Sequence, residues 1–237
     1  MTNIHPILQR LHGGLIVSCQ PDADDREHDP LNSPDIMAAL ARAAVLGGAV
    51  GIRADGPADI AAIRAAVIVP LIGIYKAEIQ GFPVRITPTL EHAIHVANAG
   101  ADVIALDATQ RPRPGGMGVA EMIAQVKRQT GKPVFADVST FEEGVFAAKA
   151  GADAILTTLA GYTDYSHYSP DPDFELIQKL ADQLGVPVIA EGRITTPAQA
   201  ARALELGAWA VCVGSAITRV RWITEQFVKA MEQTRER

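Results

Sequence analysis

Eight short apolar runs cross the chain, and nearly every one ends in a polar or charged residue. In order they are Leu15–Cys19 followed by Gln20, Val50–Ile52 by Arg53, Leu71–Tyr75 by Lys76, and Val103–Leu106 by Asp107. The other four are Val134–Ala136 followed by Asp137, Ala154–Leu156 by Thr157, Val186–Ala190 by Glu191, and Ala210–Val213 by Gly214 and Ser215. Runs this short and this continuously apolar suit strands buried on both faces of a parallel sheet. Eight of them, with helical stretches between, predict an α/β fold, the (β/α)8 TIM barrel, whose functional groups gather at the carboxyl ends of its strands. The residues that end the runs are therefore the first candidates for a site.

The punctuation between the runs supports that reading. Leu46-Gly47-Gly48-Ala49, Ala99-Gly100-Ala101-Asp102, Ala150-Gly151-Ala152-Asp153 and Leu206-Gly207-Ala208-Trp209 each close a helical stretch and open a strand. Glycine after a helix adopts the left-handed conformation without a Cβ penalty. The repeat of roughly 50 to 56 residues matches two βα units per period, hence four pairs. Val69-Pro70, Lys132-Pro133 and Val186-Pro187 lead into the third, fifth and seventh runs, and proline is tolerated where a strand begins. Ser33, Thr89, Thr140 and Thr196 read as helix N-caps, with Glu143 completing a capping box after Thr140. Ile4–Leu11 is expected to form a short helix closing the barrel bottom. The last helix, near Trp222–Thr234, is expected to turn Trp222, Phe227 and Met231 inward. A length of 237 residues suits one barrel domain spanning 1–237.

The net charge of −6 disfavours non-specific binding to nucleic acid or to an anionic membrane, both of which want a basic face. It leaves room for a small anion held by a few local cations. No secretory leader pattern and no apolar stretch long enough to span a bilayer is present. Cys19 and Cys212 fall in the first and last runs and read as buried free thiols of a reducing cytoplasm. Three long connections, Pro21–Asn32, Ala108–Gly118 and Leu159–Pro172, would lie on the functional face. The third, rich in tyrosine and threonine, reads as a ligand-contacting flap.

Lys76 leaves an apolar strand at the barrel mouth. Desolvation and a neighbouring cation such as Arg53 would favour its neutral amine, a base or a Schiff-base nucleophile; the alternative is an ion-pairing lysine at a strand end. Glu191 and Asp137 are the acidic counterparts. Lys76 and Glu191 facing each other across the mouth would suit removal of a proton from one face of a carbon and its return to the other. Asp137 could equally serve to pair Lys76 or Arg53. Gly192-Arg193 and Gly214-Ser215, with Arg219 close behind, resemble the phosphate-binding turns that follow strands seven and eight in such barrels; the alternative is a pair of tight turns. No metal-ligand pattern and no dinucleotide fingerprint is legible, so neither metal nor cofactor is expected.

Taken in order, Gly51-Ile52-Arg53-Ala54, Thr87-Pro88-Thr89 through Asp107-Ala108-Thr109, Arg111-Pro112-Arg113-Pro114, Ala136-Asp137-Val138-Ser139-Thr140, Thr157–Thr163, Ala190-Glu191-Gly192-Arg193 and Gly214–Arg219 resemble the N-acetylmannosamine-6-phosphate 2-epimerases of bacterial sialic-acid catabolism. The likeness runs from about Leu11 to Val228. It implies a phosphosugar-binding barrel that interconverts N-acetylmannosamine 6-phosphate and N-acetylglucosamine 6-phosphate without a cofactor. It further implies that Lys76 is the catalytic lysine acting at C2 and Glu191 the second acid–base. By the same likeness Gln20, Arg53 and Asp137 orient the sugar and the lysine, and Gly192, Gly214, Ser215 and Arg219 hold the phosphate. The chain departs from the family pattern in the acidic stretch Asp22–Asp29, in Ser215 where a second glycine is common, and in Val220 where proline is common. The rival readings are another phosphosugar isomerase, aldolase or synthase on the same barrel, and a non-catalytic phosphosugar sensor. A homodimer through exterior helices is left open, with no dedicated interface legible.

Overall fold

The computed structural model describes residues 4–22 and 25–235. Eight parallel strands close in sequential order into a barrel: β1 Leu15–Cys19, β2 Gly51–Asp55, β3 Leu71–Ile74, β4 Val103–Asp107, β5 Val134–Asp137, β6 Ala154–Leu156, β7 Val188–Glu191 and β8 Ala210–Val213. The ring is sealed by β1 against β8, with Ile16 opposite Cys212. The predicted (β/α)8 barrel is thus the fold. Runs and strands coincide for β1, β6 and β8 and differ by one or two residues for β3, β4, β5 and β7. The largest difference is β2, which continues past Ile52 through Arg53 and Ala54 to Asp55.

Side chains alternate across each strand, so the barrel has two cores. Ile16, Ile72, Ile74, Phe135, Leu156 and Ile189 fill the interior, together with Leu8 and Leu11 from below. Val17, Ile52, Leu71, Ile104, Val134, Ile155 and Val188 face outward beneath the helices. The bottom plug is real but shorter than expected. Its helix, α1, spans Pro6–Gln9 and is fastened where Trp209 Nε1 donates to the Leu8 carbonyl at 2.7 Å.

The outer helices begin and end as their residues dictate. α4 (Leu90–Asn98), α6 (Phe141–Lys149) and α8 (Pro197–Glu205) are capped by the hydroxyls of Thr89, Thr140 and Thr196, the latter two in full capping boxes. Ser33 precedes α2 (Pro34–Leu46) without making a cap hydrogen bond. The repeated glycines Gly48, Gly100, Gly151 and Gly207 all take positive φ, between 92° and 103°. The ring is completed by α3 (Pro57–Ala66), α5 (Val119–Thr130) and α7 (Phe174–Gln183), with a short α9 (Ser215–Thr218) after β8.

One expectation is corrected. The last helix, α10 (Val220–Arg235), does not turn its apolar side into the barrel. Phe227 is 69% exposed and Met231 60%, with Val220 and Val228 on the same side also exposed; only Trp222 and Ile223 are half-buried. α10 packs on α9 rather than beside β8, so its apolar stripe has no partner within the described residues. Cys19 and Cys212 are free and buried. Among the described residues no helix is long and apolar enough to cross a membrane.

Candidate functional site

The alternation that fills the barrel also builds the site. From Ile16 inward-facing positions continue to Ser18 and Gln20. Those of β3 lead through Ile74 to Lys76, those of β5 through Phe135 to Asp137, and those of β7 through Ile189 to Glu191. Side chains separated by two residues share a face, so these groups rise together from the interior core to the mouth. There a cavity of about 620 Å³ is lined by Gln20, Arg53, Lys76, Glu191, Gly192, Gly214, Ser215 and Arg219. Of the residues singled out in the sequence, only Asp137 lies below the cavity wall rather than on it.

Arg53 is the hub. Its Nη1 donates to Asp137 Oδ1 and to Glu191 Oε2, both at 2.8 Å, and its Nη2 donates to Asp137 Oδ2 at 2.9 Å. Arg53 and Asp137 are 1% and 0% exposed, so both charges depend on this pairing. Burial opposes the Arg53 charge, but Asp137 and Glu191 outweigh it and hold the guanidinium pKa above its ordinary value. Burial pushes the Glu191 carboxyl up; Arg53 opposes the rise and Asp137 adds to it.

Lys76 is placed through its backbone. Its N–H donates to Asp55 Oδ1 at 2.8 Å, and the chain beyond β3 is pinned by a bridge between Lys76 and Ile86. The amine makes no ion pair among the described residues. Burial lowers its pKa; Asp55 and Glu191 work against that, while Arg219 and Arg53 reinforce it. Lys76 and Glu191 are thus both pressed toward their neutral forms inside one cavity, as an amine that can accept a proton and a carboxyl that can give one.

At the β7 and β8 end, Gly192 has φ +106°, and a Cβ there would stand 3.4 Å from the carbonyl oxygens of Thr157 and Thr158. The space would admit a Cβ, but the positive φ is one that L side chains rarely adopt, so the turn favours glycine. Thr218 Oγ1 donates to the Ser18 carbonyl at 2.9 Å, tying α9 to β1 beneath Gly214. Arg219 lies 3.4 Å from Asp22 of the first long loop. Gln20 donates to Ser18 Oγ at 2.7 Å, and its Oε1 has no partner among the described residues. Arg193 also lines the cavity, but its guanidinium is engaged by the third loop. Its guanidinium donates to the carbonyls of Ala160 and Gly161 and stacks 3.9 Å from the Tyr162 ring centroid, holding the third loop. That loop contributes Leu159, Tyr162, Tyr168 and Pro170 to the cavity. Of the first loop, residues 23 and 24 lie outside the described residues.

Several residues of the site are not among the candidates. Asp55 positions Lys76 and also accepts from Arg26 Nη1 at 2.9 Å. Asp107, marked in the sequence only as the end of the fourth run and given no role there, lines the cavity beside Arg111, its ion-pair partner at 2.7 Å. Thr158 lines the cavity and reaches both Asp137 and Glu191. A signal for Asp55 and Thr158 was present: Asp55 stands two residues after Arg53, and Thr158 two after Leu156, so strand parity turns both inward.

Residues 37–233 match the family model described as "Putative N-acetylmannosamine-6-phosphate epimerase". A protein of Caldanaerobacter subterraneus subsp. tengcongensis, named "Putative N-acetylmannosamine-6-phosphate 2-epimerase", is 50% identical over 97% of this chain and 95% of its own length. A protein of the same name from Thermosynechococcus vestitus is 47% identical over 94% of this chain and 95% of its own. Among solved structures, the N-acetylmannosamine-6-phosphate 2-epimerase from Clostridium perfringens superposes with a TM-score of 0.90 at 42% identity, covering 97% of this chain and 98% of that one. With its order of strands, its mouth residues and these relatives in agreement, the chain belongs to the N-acetylmannosamine-6-phosphate epimerase family.

Proposed function

We propose that the protein inverts C2 of N-acetylmannosamine 6-phosphate to give N-acetylglucosamine 6-phosphate, as a single-domain cytoplasmic enzyme of amino-sugar degradation. The observation that carries this reading is that Lys76 and Glu191 line the same cavity as Gly192, Gly214, Ser215 and Arg219. The phosphate is held at the turns after β7 and β8, where backbone N–H groups and Arg219 meet its charge. Ring opening places an aldehyde next to C2. The neutral Lys76 amine takes the C2 proton, leaving an enolate, and Glu191 returns a proton to the opposite face. Arg53 and Asp137 fix the orientation of Glu191, and Gln20 orients the sugar. Only the configuration of one carbon changes, so the reaction has no redox balance to meet.

The test is turnover in deuterium oxide. Purified protein is expected to convert N-acetylmannosamine 6-phosphate into N-acetylglucosamine 6-phosphate carrying deuterium at C2, read by proton NMR. A folded protein that leaves the substrate unchanged overturns the activity. Conversion with hydrogen retained at C2 overturns exchange-linked deprotonation.

We also propose that the protein is a homodimer joined through α10. Two apolar surfaces support this. The exposed stripe Val220, Phe227, Val228 and Met231 recurs at helical spacing on one side of α10. Beside β8, an apolar groove of about 350 Å³ is lined by Leu15, Ala200, Leu204, Val211, Ala216 and Ile217. It lies where an outer helix of the barrel would otherwise pack. The α10 of a second copy would bury both surfaces at once, symmetrically. Sedimentation velocity is expected to give a dimer for the wild type and a monomer for the Phe227→Glu, Met231→Glu double variant. A monomeric wild type at micromolar concentration overturns the assembly.

A further inference from the structure

Two successive threonines at the end of β6 hold Glu191 in different ways. Thr157 grips its backbone: the hydroxyl donates to the Glu191 carbonyl at 2.9 Å and accepts from the Glu191 N–H at 3.1 Å. Thr158 faces the cavity and meets its side chain, with Oγ1 in contact with Asp137 Oδ1 and 3.1 Å from Glu191 Oε2. Both of those carboxyl oxygens also accept from Arg53 Nη1. The three side chains therefore gather around one hydroxyl, with the buried Cys212 thiol of β8 bonded to the Glu191 side chain and the Lys76 amine in the same cavity.

That hydroxyl has one proton to donate. When it donates to Asp137, the threonine oxygen turns its lone pairs toward Glu191 Oε2. This arrangement tolerates a protonated Glu191 and repels an ionised one. When the proton swings to Glu191, an ionised carboxylate is stabilised and Asp137 keeps its two bonds from Arg53. The choice between the two donor directions is thereby tied to the charge on Glu191.

We infer that Thr158 is a positioning residue whose hydroxyl rotates from Asp137 to Glu191 as Glu191 gives up its proton, and back as it regains it. The inference rests on the reading that Glu191 delivers a proton to C2. In that step the O–H bond of Glu191 breaks, a C–H bond forms at C2, and the enolate electrons move into the new bond. Glu191 is left negative, while Thr158 keeps its own proton and only changes its direction. The hydroxyl thus meets a charge that appears during the reaction, where a donor contributes most to rate.

Three variants test it: Thr158→Val, Thr158→Ser and Glu191→Gln, each checked for a wild-type melting profile. Losing a hydrogen bond to an ionised group predicts a kcat for Thr158→Val lower by about ten- to a hundredfold, with KM within about threefold of wild type. The limb of the kcat–pH profile that Glu191→Gln abolishes is expected to move to higher pH in Thr158→Val, because the carboxylate has lost a donor. Thr158→Ser is expected to restore both rate and limb. A Thr158→Val enzyme with wild-type kcat and pH profile, beside a Glu191→Gln that is slowed and whose residual activity lacks that limb, overturns the role of Thr158 alone. So does a serine variant that behaves like valine, since the methyl group and not the hydroxyl would then matter. A Glu191→Gln enzyme with wild-type turnover overturns the reading beneath it. Should Thr158→Val fail to fold, Thr158→Cys, with a weaker donor of similar shape, replaces it with the same expected direction.

Discussion

Replacing Lys76 with alanine is expected to lower kcat for C2 epimerisation by about 10²–10⁴-fold, the range a positioned general base contributes, with a much smaller change in KM. The side chain can be removed cleanly. Lys76 is held by its backbone N–H on Asp55 and by its bridge to Ile86, neither of which uses the amine. Deuterium incorporation at C2 should fall in step with turnover, since both require the same deprotonation. Lys76→Arg is the sharper variant. Arginine keeps a positive charge near the substrate but stays protonated at any working pH. It should be as inactive as alanine if Lys76 is a base, and nearly wild type if the lysine contributes only charge.

The same pair sets the pH dependence. Burial lowers the Lys76 pKa and raises that of Glu191, and in the proposed mechanism the amine has to be deprotonated and the carboxyl protonated. Acidification removes the base and alkalinisation removes the acid, giving a bell-shaped kcat/KM profile whose two apparent pKa values belong to the pair. Residual activity in Lys76→Ala should lack the acidic limb. A variant that keeps wild-type turnover or an unchanged acidic limb would remove Lys76 from the chemistry.

The parts of the molecule that could be read from the sequence share a physical reason, and so do the parts that could not. A strand buried on both faces has to be apolar until it reaches the mouth, so the residue where the run breaks marks a strand end. Lys76, Asp137, Glu191 and Gly214 are legible on that basis, and all but Asp137 line the cavity. The rule fails where a polar side chain is buried inside a strand. Arg53 interrupts β2 in its middle, held there by Asp137 and Glu191, so the apolar run stops at Ile52, three residues short of the strand's end, and does not reach Asp55. Thr158 was hidden for another reason: threonine fits strands, turns and caps alike, and only the positions of Asp137 and Glu191 give its hydroxyl a task. The last helix failed differently. Its apolar periodicity states that one face needs cover but not which surface provides it. The regular α4, α6 and α8 pack on their own barrel, whereas α10 leaves Phe227 and Met231 exposed.

Arg53→Met should be the most destabilising single change at the site, by about 3–5 kcal/mol at neutral pH, the cost of removing one member of a buried ion pair. For a chain of this length that corresponds to a melting point lower by roughly 6–20 °C. Methionine fills much of the space but donates nothing. Asp137, fully buried, would lose both bonds from Arg53 and keep only the Thr158 hydroxyl, and Glu191 would lose its only cation in hydrogen-bonding distance among the described residues. The sign of the pH effect follows from linkage. Glu191 has a folded pKa above its unfolded value, so it takes up a proton on folding, and its contribution is most favourable at low pH. That contribution declines as pH rises from the ordinary carboxylate range through the raised folded value. Without Arg53, which opposes the rise, the folded value climbs further and the declining window extends upward. The deficit of Arg53→Met relative to wild type should therefore be larger at pH 8 than at pH 5, measured by urea denaturation at both. Adding Glu191→Gln, which removes one stranded charge, should recover part of the loss at pH 8 and little at pH 5. A deficit that is the same at both pH values, or one that Glu191→Gln does not relieve, would mean that Arg53 supports the barrel by packing rather than by holding two carboxylates at its mouth.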